Sequence, residues 1–563
     1  MVALKRALVG LLAGTITAWP QKPAISPGGV VNAASFTAVT NPATTTALSG
    51  PALAPGSIAS IFGMNLATSR QTAATVPLPR QLAGTSVSVD GIAAPLFYVS
   101  PTQINFQIPS PLDTTPGIST APGVVVGTAA GLSDPYALQS AADANGVFTR
   151  NGSGCSQADV LNVDADGSVS PNSPANSASP GDFISIYGTG AGIAFSAPPD
   201  GVSAPSQPLA TASTVPVPLY DFAAGSSSPY WAGRAPGLIG VDQFNFVLPS
   251  TVREGCAVPL QILAENISQP ATISIARGGG PCVDPPQAGF GQIIWEETVT
   301  TSATSMVTES DTVTGSFQAS PGRKPPVPPV YTKGGQTPIA RIYVGGACPV
   351  PGYRSLGAGT LTVKGPGFGP ADAPVVPLQS YTELDSPAVF NGPVTVYPTA
   401  QVSGLTVYQA VLPSGAINAG SFTVAASGGA DVGAFQSTVQ IGSPIKVTTP
   451  LAGSVIQAGA PFTLTWTGGD PNSWVIVTAA DPPGGPYMYY ANGFVARASD
   501  GSLTIDNPTG LPPTFGALGL VDMVVQVIPD PSKVPVFSAP GLSLGGQSLW
   551  RYTYIFQGVT LQD

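Results

Sequence analysis

The sequence predicts an all-β protein built from tandem β-sandwich domains, because two motifs occur twice and in the same order. Residues 55–63 (PGSIASIFG) return as residues 180–188 (PGDFISIYG), and residues 103–110 (QINFQIPS) return as residues 243–250 (QFNFVLPS). Self-similarity of this kind indicates a duplicated structural unit. The second copy carries 15 more residues between its motifs. We interpret them as a surface loop insertion in the Pro- and Ser-rich stretch 197–218.

The second motif of each copy has the period-two pattern of a half-buried strand. In the first copy Ile104, Phe106 and Ile108 alternate with Gln103, Asn105 and Gln107, and the second copy repeats the alternation. We expect the apolar side chains to face a core and the Gln and Asn side chains to face outward.

Composition favours a turn-rich, exported β protein. The 563 residues suggest about three to five domains. Charged residues make up only 9% of the chain, against about 25% in an ordinary soluble domain. The 67 Gly and 62 Pro residues accompany 43% hydrophobic content, which a disordered chain lacks. A net charge of -10 without a basic cluster argues against a nucleic-acid partner.

The N-terminus predicts export. Lys5 and Arg6 precede an apolar stretch over residues 7–18, so residues 1–20 are interpreted as a signal peptide. No later stretch reaches the roughly 18 apolar residues of a membrane helix, so no transmembrane segment is expected after cleavage. The predicted location is secreted, cell-surface or periplasmic.

Four domains are expected after the signal peptide. The two copies occupy residues 24–145 and 146–283, and a diverged β-sandwich with a Pro-rich loop or linker at 321–337 occupies residues 284–444. A C-terminal sandwich occupies residues 445–563, where alternating runs such as FTLTW predict core strands.

The repeated region resembles a known protein family. Residues 31–36 (VNAASF), 97–109 (FYVSPTQINFQIP) and 235–241 (APGLIGV) resemble a paralogous family of secreted acidobacterial proteins with IPT/TIG-like domains. The resemblance covers about residues 27 to 282. It implies export and tandem immunoglobulin-like β-sandwich domains. It implies no catalytic residue, because the family has no assigned chemistry.

The four cysteines favour disulfides over a metal site. No Cys-x-x-Cys pair occurs, and the chain has no histidine, so a zinc site of the usual kind is not expected. Cys256 and Cys282 flank a predicted hairpin whose open end would bring them together, so we expect them to pair. Cys155 and Cys348 would then either bridge domains or remain free.

No catalytic site or cofactor is predicted. Without histidine or a Gly-x-Ser-x-Gly motif, ordinary serine-hydrolase chemistry is excluded. Glu296 and Glu297 form the densest acidic pair, but neighbours on a strand point to opposite faces, and we interpret them as a solvated strand edge. Asp164 and Asp166 are weak metal candidates that we interpret as a plain Asp-Gly turn.

Exposed aromatic residues are the candidate ligand contacts. Tyr487, Tyr489 and Tyr490 lie beside a Pro- and Gly-rich run, and Trp231 has a similar setting. Flat rings with polar tips suit contact surfaces such as carbohydrate sites, although core packing explains them equally well.

The leading functional hypothesis is a secreted or cell-surface protein with a non-enzymatic structural, adhesion or binding role. The alternative is a carbohydrate-binding accessory or catalytic component of extracellular polysaccharide degradation. The expected partner is an extracellular polysaccharide or a surface protein, and not a nucleic acid.

Overall fold

The protein is all-β in the computed structural model, which describes most of the chain. The described residues are 21–36, 53–112, 123–137, 140–164, 166–221, 223–224, 229–264, 268–322, 331, 336–338, 348, 352–366, 376–377, 379–382, 406–457, 460–480, 492–505 and 519–562. Within these ranges no α-helix occurs, and single 3-10 turns lie at Ala498–Asp500 and Pro531–Lys533. No described helix is long and apolar enough to cross a membrane. The predicted signal peptide lies outside these ranges.

The first copy of the repeat forms a two-sheet sandwich. Its strands are β1 (Ala24–Asn32), β2 (Ile58–Met64), β3 (Gln71–Thr72), β4 (Gln81–Leu82), β5 (Thr85–Val89), β6 (Ile92–Ala93), β7 (Leu96–Val99), β8 (Gln103–Gln107), β9 (Gly123–Thr128), β10 (Gly131–Leu132) and β11 (Tyr136–Ala137). One sheet has the order β1-β2-β8-β7-β3, and the other has the order β10-β9-β5-β4, with β6 beside β5 and β11 beside β9. Ile61, Ile104 and Phe106 are fully buried between the sheets, as the alternation predicts.

The second copy repeats this architecture. Its strands are β12 (Gly146–Val147), β13 (Val160–Val163), β14 (Val169–Pro171), β15 (Phe183–Thr189), β16 (Ala194–Phe195), β17 (Thr211–Ala212), β18 (Val217–Tyr220), β19 (Ala223–Ala224), β20 (Trp231–Arg234), β21 (Asp242–Val247), β22 (Gly255–Leu263) and β23 (Ala271–Ile275). The larger sheet has the order β14-β13-β15-β21-β20-β17-β16, with β12 beside β15, and the smaller is β19-β18-β22-β23. The row β15-β21-β20 corresponds to β2-β8-β7 of the first copy.

The remaining strands build a larger unit. They are β24 (Gln287–Thr301), β25 (Val307–Pro321), β26 (Gln336–Pro338), β27 (Arg354–Ser355), β28 (Leu361–Lys364), β29 (Val376–Pro377), β30 (Gln379–Thr382), β31 (Thr406–Leu412), β32 (Gly420–Ala426), β33 (Phe435–Ile441), β34 (Ile445–Thr449), β35 (Val455–Gln457), β36 (Phe462–Gly468), β37 (Trp474–Ala480), β38 (Asn492–Arg497), β39 (Ser502–Ile505), β40 (Gly519–Ile528), β41 (Val536–Phe537) and β42 (Gly546–Gln562). One long sheet has the order β26-β38-β37-β40-β42-β24-β25-β31-β30, with β27 beside β25 and with β35 and β41 beside β42. Two smaller sheets, β29-β28-β32-β33 and β34-β36-β39, complete it.

A parallel pairing joins the two C-terminal ranges that the sequence predicts as separate domains. Strand β42 returns to lie parallel to β24, so that Trp550 pairs with Trp295. One hydrophobic core extends from Ile293 to Val559 and includes both tryptophans. The boundary expected at residue 445 therefore falls within a shared sheet and core. The predicted fold class, tandem immunoglobulin-like β-sandwiches, is confirmed.

Hydrogen bonds connect the two copies of the repeat. The guanidinium group of Arg234 pairs with Asp242 at 2.6 Å and also donates to the carbonyl of Pro55 in the first copy at 2.9 Å. The backbone N–H of Ile58 donates to Thr189 Oγ1 at 2.8 Å. The buried ion pair with Asp242 fixes the Arg234 side chain within the second copy, and the bonds to Pro55 and from Ile58 connect the two copies.

The second copy contains one internal disulfide and is joined by another to a later part of the chain. Cys256 and Cys282 pair across the open end of the β22–β23 hairpin, the pair expected from the sequence. Cys155 pairs with Cys348 over a sequence separation of 193 residues. This second bond settles the choice left open above, because it bridges the second copy to the C-terminal part of the chain.

Candidate functional site on the outer sheet faces

Each N-terminal sandwich carries the same polar group on the outer face of one sheet. In the first copy Ser60 of β2 lies directly opposite Asn105 of β8. The Ser60 hydroxyl donates to Asn105 Oδ1 at 3.0 Å, and Gln103 Nε2 donates to the same oxygen at 2.8 Å. Asn105 Oδ1 therefore accepts two hydrogen bonds and is satisfied.

The second copy repeats this group atom for atom. Ser185 of β15 lies opposite Asn245 of β21. The Ser185 hydroxyl donates to Asn245 Oδ1 at 2.8 Å, and Gln243 Nε2 donates to it at 2.9 Å. We call the group in either copy the Ser-Asn-Gln cluster. Its members come from both repeated motifs, which the fold places on adjacent strands.

The cluster fixes which amide atoms face outward. With Oδ1 of the asparagine and Nε2 of the glutamine engaged, Nδ2 of the asparagine and Oε1 of the glutamine are free. Neither atom has a protein partner among the described residues, and neither is a buried unsatisfied group. Each face therefore presents one amide donor group beside one amide acceptor. Ser60 and Ser185 are only 2% and 7% exposed, so the amides and not the serine hydroxyls are the accessible part of the cluster.

An aromatic ring flanks the asparagine in both copies. Tyr98 of β7 pairs with Asn105, and Trp231 of β20 pairs with Asn245. Both aromatic residues are half-buried on the outer side of the sheet. Trp231, predicted from the sequence as a ligand contact, therefore lies beside the cluster.

A second aromatic ring flanks the glutamine in both copies. Phe62 pairs with Gln103, and Tyr187 pairs with Gln243. Burial raises the pKa of the Tyr187 phenol, and the nearby carboxylate of Asp159 raises it further. The phenol is therefore neutral at physiological pH and can both donate and accept a hydrogen bond.

The second face extends into a wider aromatic surface. The ring of Tyr230, which is 78% exposed, makes an edge contact with Phe183, which is 44% exposed, at a centroid distance of 5.7 Å. Other outward side chains, placed by strand register, are Leu161, Val163, Val169, Pro171, Phe195, Thr211 and Val247. None of these outward register positions holds an acidic or basic residue, and Asp159 lies at the margin.

The other predicted site residues are not brought to this face. Tyr487, Tyr489 and Tyr490 lie outside the described residues. The Asp164 and Asp166 carboxylates accept hydrogen bonds from Ser168 at 3.0 and 2.9 Å within their own turn. Hydrogen bonding to Ser168 lowers the pKa of Asp166. In the described part of the chain no group of three or more potential ligands could hold a metal ion.

The acidic pair on β24 lies in the middle of a sheet and not on a solvated edge. Glu296 forms a bidentate ion pair with Arg551 at 2.8 and 2.6 Å. Glu297 points to the opposite face and lies between Asp311 and Tyr552 on the neighbouring strands. Strand β24 pairs with β25 on one side and with β42 on the other, so neither of its edges is exposed to solvent. The expectation of a solvated strand edge is therefore wrong.

The contact between the serine of one motif and the asparagine of the other is not predicted from the sequence. The outward direction of Gln103 and Asn105 is predicted correctly, but the serine of the other motif is not connected to them. The available signal was that Ser60 and Ser185 occupy equal positions in two motifs that otherwise differ at several residues.

The fold and these two faces define a tandem immunoglobulin-like protein with outward amide and aromatic surfaces. No protein-family model and no curated protein matches the chain. Solved structures of tandem immunoglobulin-like domains do match it. The three N-terminal domains of the Highly Immunogenic Outer Capsid protein of bacteriophage RB49 are 9% identical, and the match covers 66% of this chain and 94% of that chain with a TM-score of 0.13.

Two further matches are similarly distant. Sidekick-1 immunoglobulin domains 1-5 are 12% identical, and the match covers 89% of this chain and 77% of that chain with a TM-score of 0.12. The N-terminal four Ig domains of Dscam1 isoform 4.44 are 10% identical, with 69% and 96% covered and a TM-score of 0.11. Such TM-scores carry no argument about function, so the functional proposal depends on this chain's own residues.

Proposed function

We propose that the protein is an exported, non-enzymatic binding protein whose tandem sandwiches carry contact surfaces on their outer sheet faces. The observation that carries this proposal is the Ser-Asn-Gln cluster, which has the same hydrogen bonds in both copies. A strand needs only its apolar side to build a core. The repeated outward polar geometry therefore supports a role at the surface.

Export is supported by two observations of different kinds. Structural disulfides persist in oxidising compartments and are rare in the cytosol, and the described chain holds two of them. The predicted signal peptide and the resemblance to secreted acidobacterial proteins agree with this location, and both remain predictions from the sequence.

A non-enzymatic role is supported by the state of the acidic pair. Glu296 is engaged by Arg551 and by the Thr553 hydroxyl, and Glu297 is on the other face of the sheet. The two carboxyl groups therefore cannot flank one glycosidic bond, which glycoside hydrolysis requires. A catalytic component of polysaccharide degradation is kept as an outcome of the test.

The test uses protein purified from its native host. Amino-terminal sequencing and non-reducing peptide mapping should find a processed N-terminus and oxidised cysteines. The protein should then be sedimented with cell-envelope fragments, insoluble polysaccharides and immobilised extracellular proteins, and the supernatants assayed for released sugars and peptides. Retention without product supports the proposal. Product release overturns the non-enzymatic role, retention by none of these materials overturns the binding role, and an unprocessed, reduced chain overturns export.

A further inference from the structure

We propose that the outer faces of the two N-terminal sandwiches bind a neutral polysaccharide, each through its Ser-Asn-Gln cluster and the two flanking aromatic rings. This inference rests on the proposed binding role and names the class of ligand. The first face comprises Ser60, Asn105, Gln103, Tyr98 and Phe62. The second comprises Ser185, Asn245, Gln243, Trp231 and Tyr187.

The free amide atoms match the chemistry of a sugar. Hydrogen bonds to the asparagine Oδ1 orient its NH₂ group outward, and the glutamine presents its Oε1 two residues away on the same strand face. A sugar hydroxyl both donates and accepts hydrogen bonds. Two neighbouring ring hydroxyls could therefore satisfy this donor and acceptor together. Because the amides are already oriented, less side-chain entropy is lost on binding.

The flanking rings supply apolar surface beside these polar atoms. Tyr98 and Trp231 occupy the same register position in the two copies, across from the asparagine. Phe62 and Tyr187 likewise share the position across from the glutamine. An aromatic ring offers a flat apolar area. The Trp231 indole nitrogen is buried without a hydrogen-bond partner among the described residues, so this ring contributes apolar area and not a polar tip. A pyranose ring has apolar C–H faces and a polar rim, and so complements this alternation of rings and amides.

The charge of the face selects a neutral ligand. The second face holds no acidic or basic residue at its described outward register positions, and the carboxylate of Asp159 lies at its margin. An anionic polymer would gain no ion pair here and would be repelled by that carboxylate. An uncharged polysaccharide is not repelled by the Asp159 carboxylate and needs no ion pair to bind. Electrostatic complementarity therefore favours a neutral polysaccharide over an acidic one.

The duplication adds avidity. A polysaccharide repeats its sugar units, and the contacts between Arg234 and Pro55 and between Ile58 and Thr189 hold the two copies together. A chain bound to one face has a raised effective concentration at a second linked site when it can span both. Loss of one face should therefore weaken binding partly, and loss of both faces should weaken it much further.

Affinity electrophoresis of the full-length protein tests this inference. Native gels should contain hydroxyethylcellulose, galactomannan or mixed-linkage β-glucan as neutral probes and polygalacturonate as a charged one. Trp231→Ala combined with Tyr98→Ala should lower the affinity for the retarding neutral polymer about tenfold or more, as expected for aromatic contacts at a binding hot spot. The matched control is Gln436→Ala with Gln440→Ala, which removes outward amides from β33 in the C-terminal unit.

A second variant guards against misfolding. Gln103→Ala with Gln243→Ala removes half-buried amides whose side-chain bonds, among the described residues, go to Asn105 and Asn245. It should also reduce retardation, with an unchanged circular dichroism spectrum, because the glutamine acceptor is lost while the serine still holds the asparagine amide. Retardation by a neutral polymer that falls in both variants but not in the control supports the inference.

Three outcomes overturn it. They are the absence of retardation by every neutral probe, retardation that is equal in variants and control, and retardation by polygalacturonate alone. In each case retention on envelope fragments or extracellular proteins, without product, would leave the broader binding role intact. Release of reducing sugar from a bound polymer would instead overturn the proposed non-enzymatic function.

Discussion

Gly56 of the first copy lies directly against Arg234 of the second copy. A Cβ atom at position 56 would collide with Nη2 of Arg234. That same nitrogen donates to the Pro55 carbonyl at 2.9 Å and to the Gly192 carbonyl at 2.6 Å. The Pro-Gly-Ser turn at the start of the first motif is thus part of the junction between the copies.

The glycine should matter more in the first copy than in the second. Gly56 and Gly181 both have positive φ, +72° and +97°, but a Cβ at Gly181 meets no atom within 4 Å. Gly181→Ala should cost only the conformational strain, about 1–2 kcal/mol. Gly56→Ala should cost at least about 1 kcal/mol more, because a buried, hydrogen-bonded guanidinium must move. Hydrogen exchange of peptides covering residues 55–63 and 180–188 in the full-length chain measures both, and equal losses would contradict the junction role.

The buried ion pair should be worth far more than an exposed one. Arg234→Ala would leave Asp242 buried without its partner, which costs about 3–5 kcal/mol. Arg277→Ala is the control, because the Arg277 and Glu254 side chains are 73% and 43% exposed and such pairs contribute about 0–1 kcal/mol. The free energy of unfolding of the second sandwich, from urea titration monitored by hydrogen exchange, should separate the two. Similar losses for both variants would show that Arg234 does not stabilise the junction.

The sequence predicts the two N-terminal sandwiches well because their motifs encode local alternation. Ile104 and Phe106 are buried and Gln103 and Asn105 face outward, as the period of two requires. Gln107, which the same period places on the solvent side, is buried instead, because its amide donates to the Gly56 carbonyl and accepts from the Gly201 N–H of the second copy. The Cys256–Cys282 disulfide follows for the same reason, since a hairpin is a local structure.

The parts that depend on distant contacts are not predictable from these patterns. Nothing local indicates that β42 would pair with β24, about 250 residues earlier in the chain, so a solvated edge is predicted where a central strand lies. The clusters escape prediction for a related reason. Ser60 and Asn105 belong to separate motifs, and only the strand order places one beside the other.

The two disulfides should act on different parts of the molecule. Cys256→Ser with Cys282→Ser opens a link that closes 26 residues within the second sandwich. It should lower the stability of that sandwich by about 3 kcal/mol. Cys155→Ser with Cys348→Ser should lower the opening free energy of β22 and β23 by less than the first pair does, because this bond joins the sandwich to a later part of the chain and closes no loop within it.

Hydrogen exchange of the β22–β23 peptides measures this difference. Non-reducing peptide mapping of the unmodified protein should recover the 155–348 and 256–282 linkages. Recovery of another of the three possible pairings would contradict the connectivity.

The C-terminal unit should lose stability as the pH rises through the range in which Glu297 ionises. Burial raises the pKa of the Glu297 carboxyl to about 7, with further contributions from Asp311 and Glu309. Burial also raises the pKa of Asp311. The ordinary value for Glu297 is 4.5, so between about pH 4.5 and 7 the folded state holds a proton that the unfolded state has released. The free energy of unfolding therefore falls as pH rises across this window and levels off above it.

Glu297→Gln replaces the ionisable carboxyl group with an uncharged amide of similar size and polarity. We expect the variant to match the wild type near pH 4.5 and to exceed its free energy of unfolding by about 1–2 kcal/mol at pH 8, after allowing for solvent screening. A shallower slope should remain, because Asp311, whose pKa burial also raises, still titrates. Urea unfolding of the full-length chain at pH 4.5, 6, 7 and 8, followed by tryptophan fluorescence, measures the difference, since Trp295 and Trp550 lie in the same core. A variant that is less stable than the wild type at pH 8 would mean that the ionised carboxylate is favourably bound, contrary to its surroundings of Asp311, Glu309 and buried apolar residues.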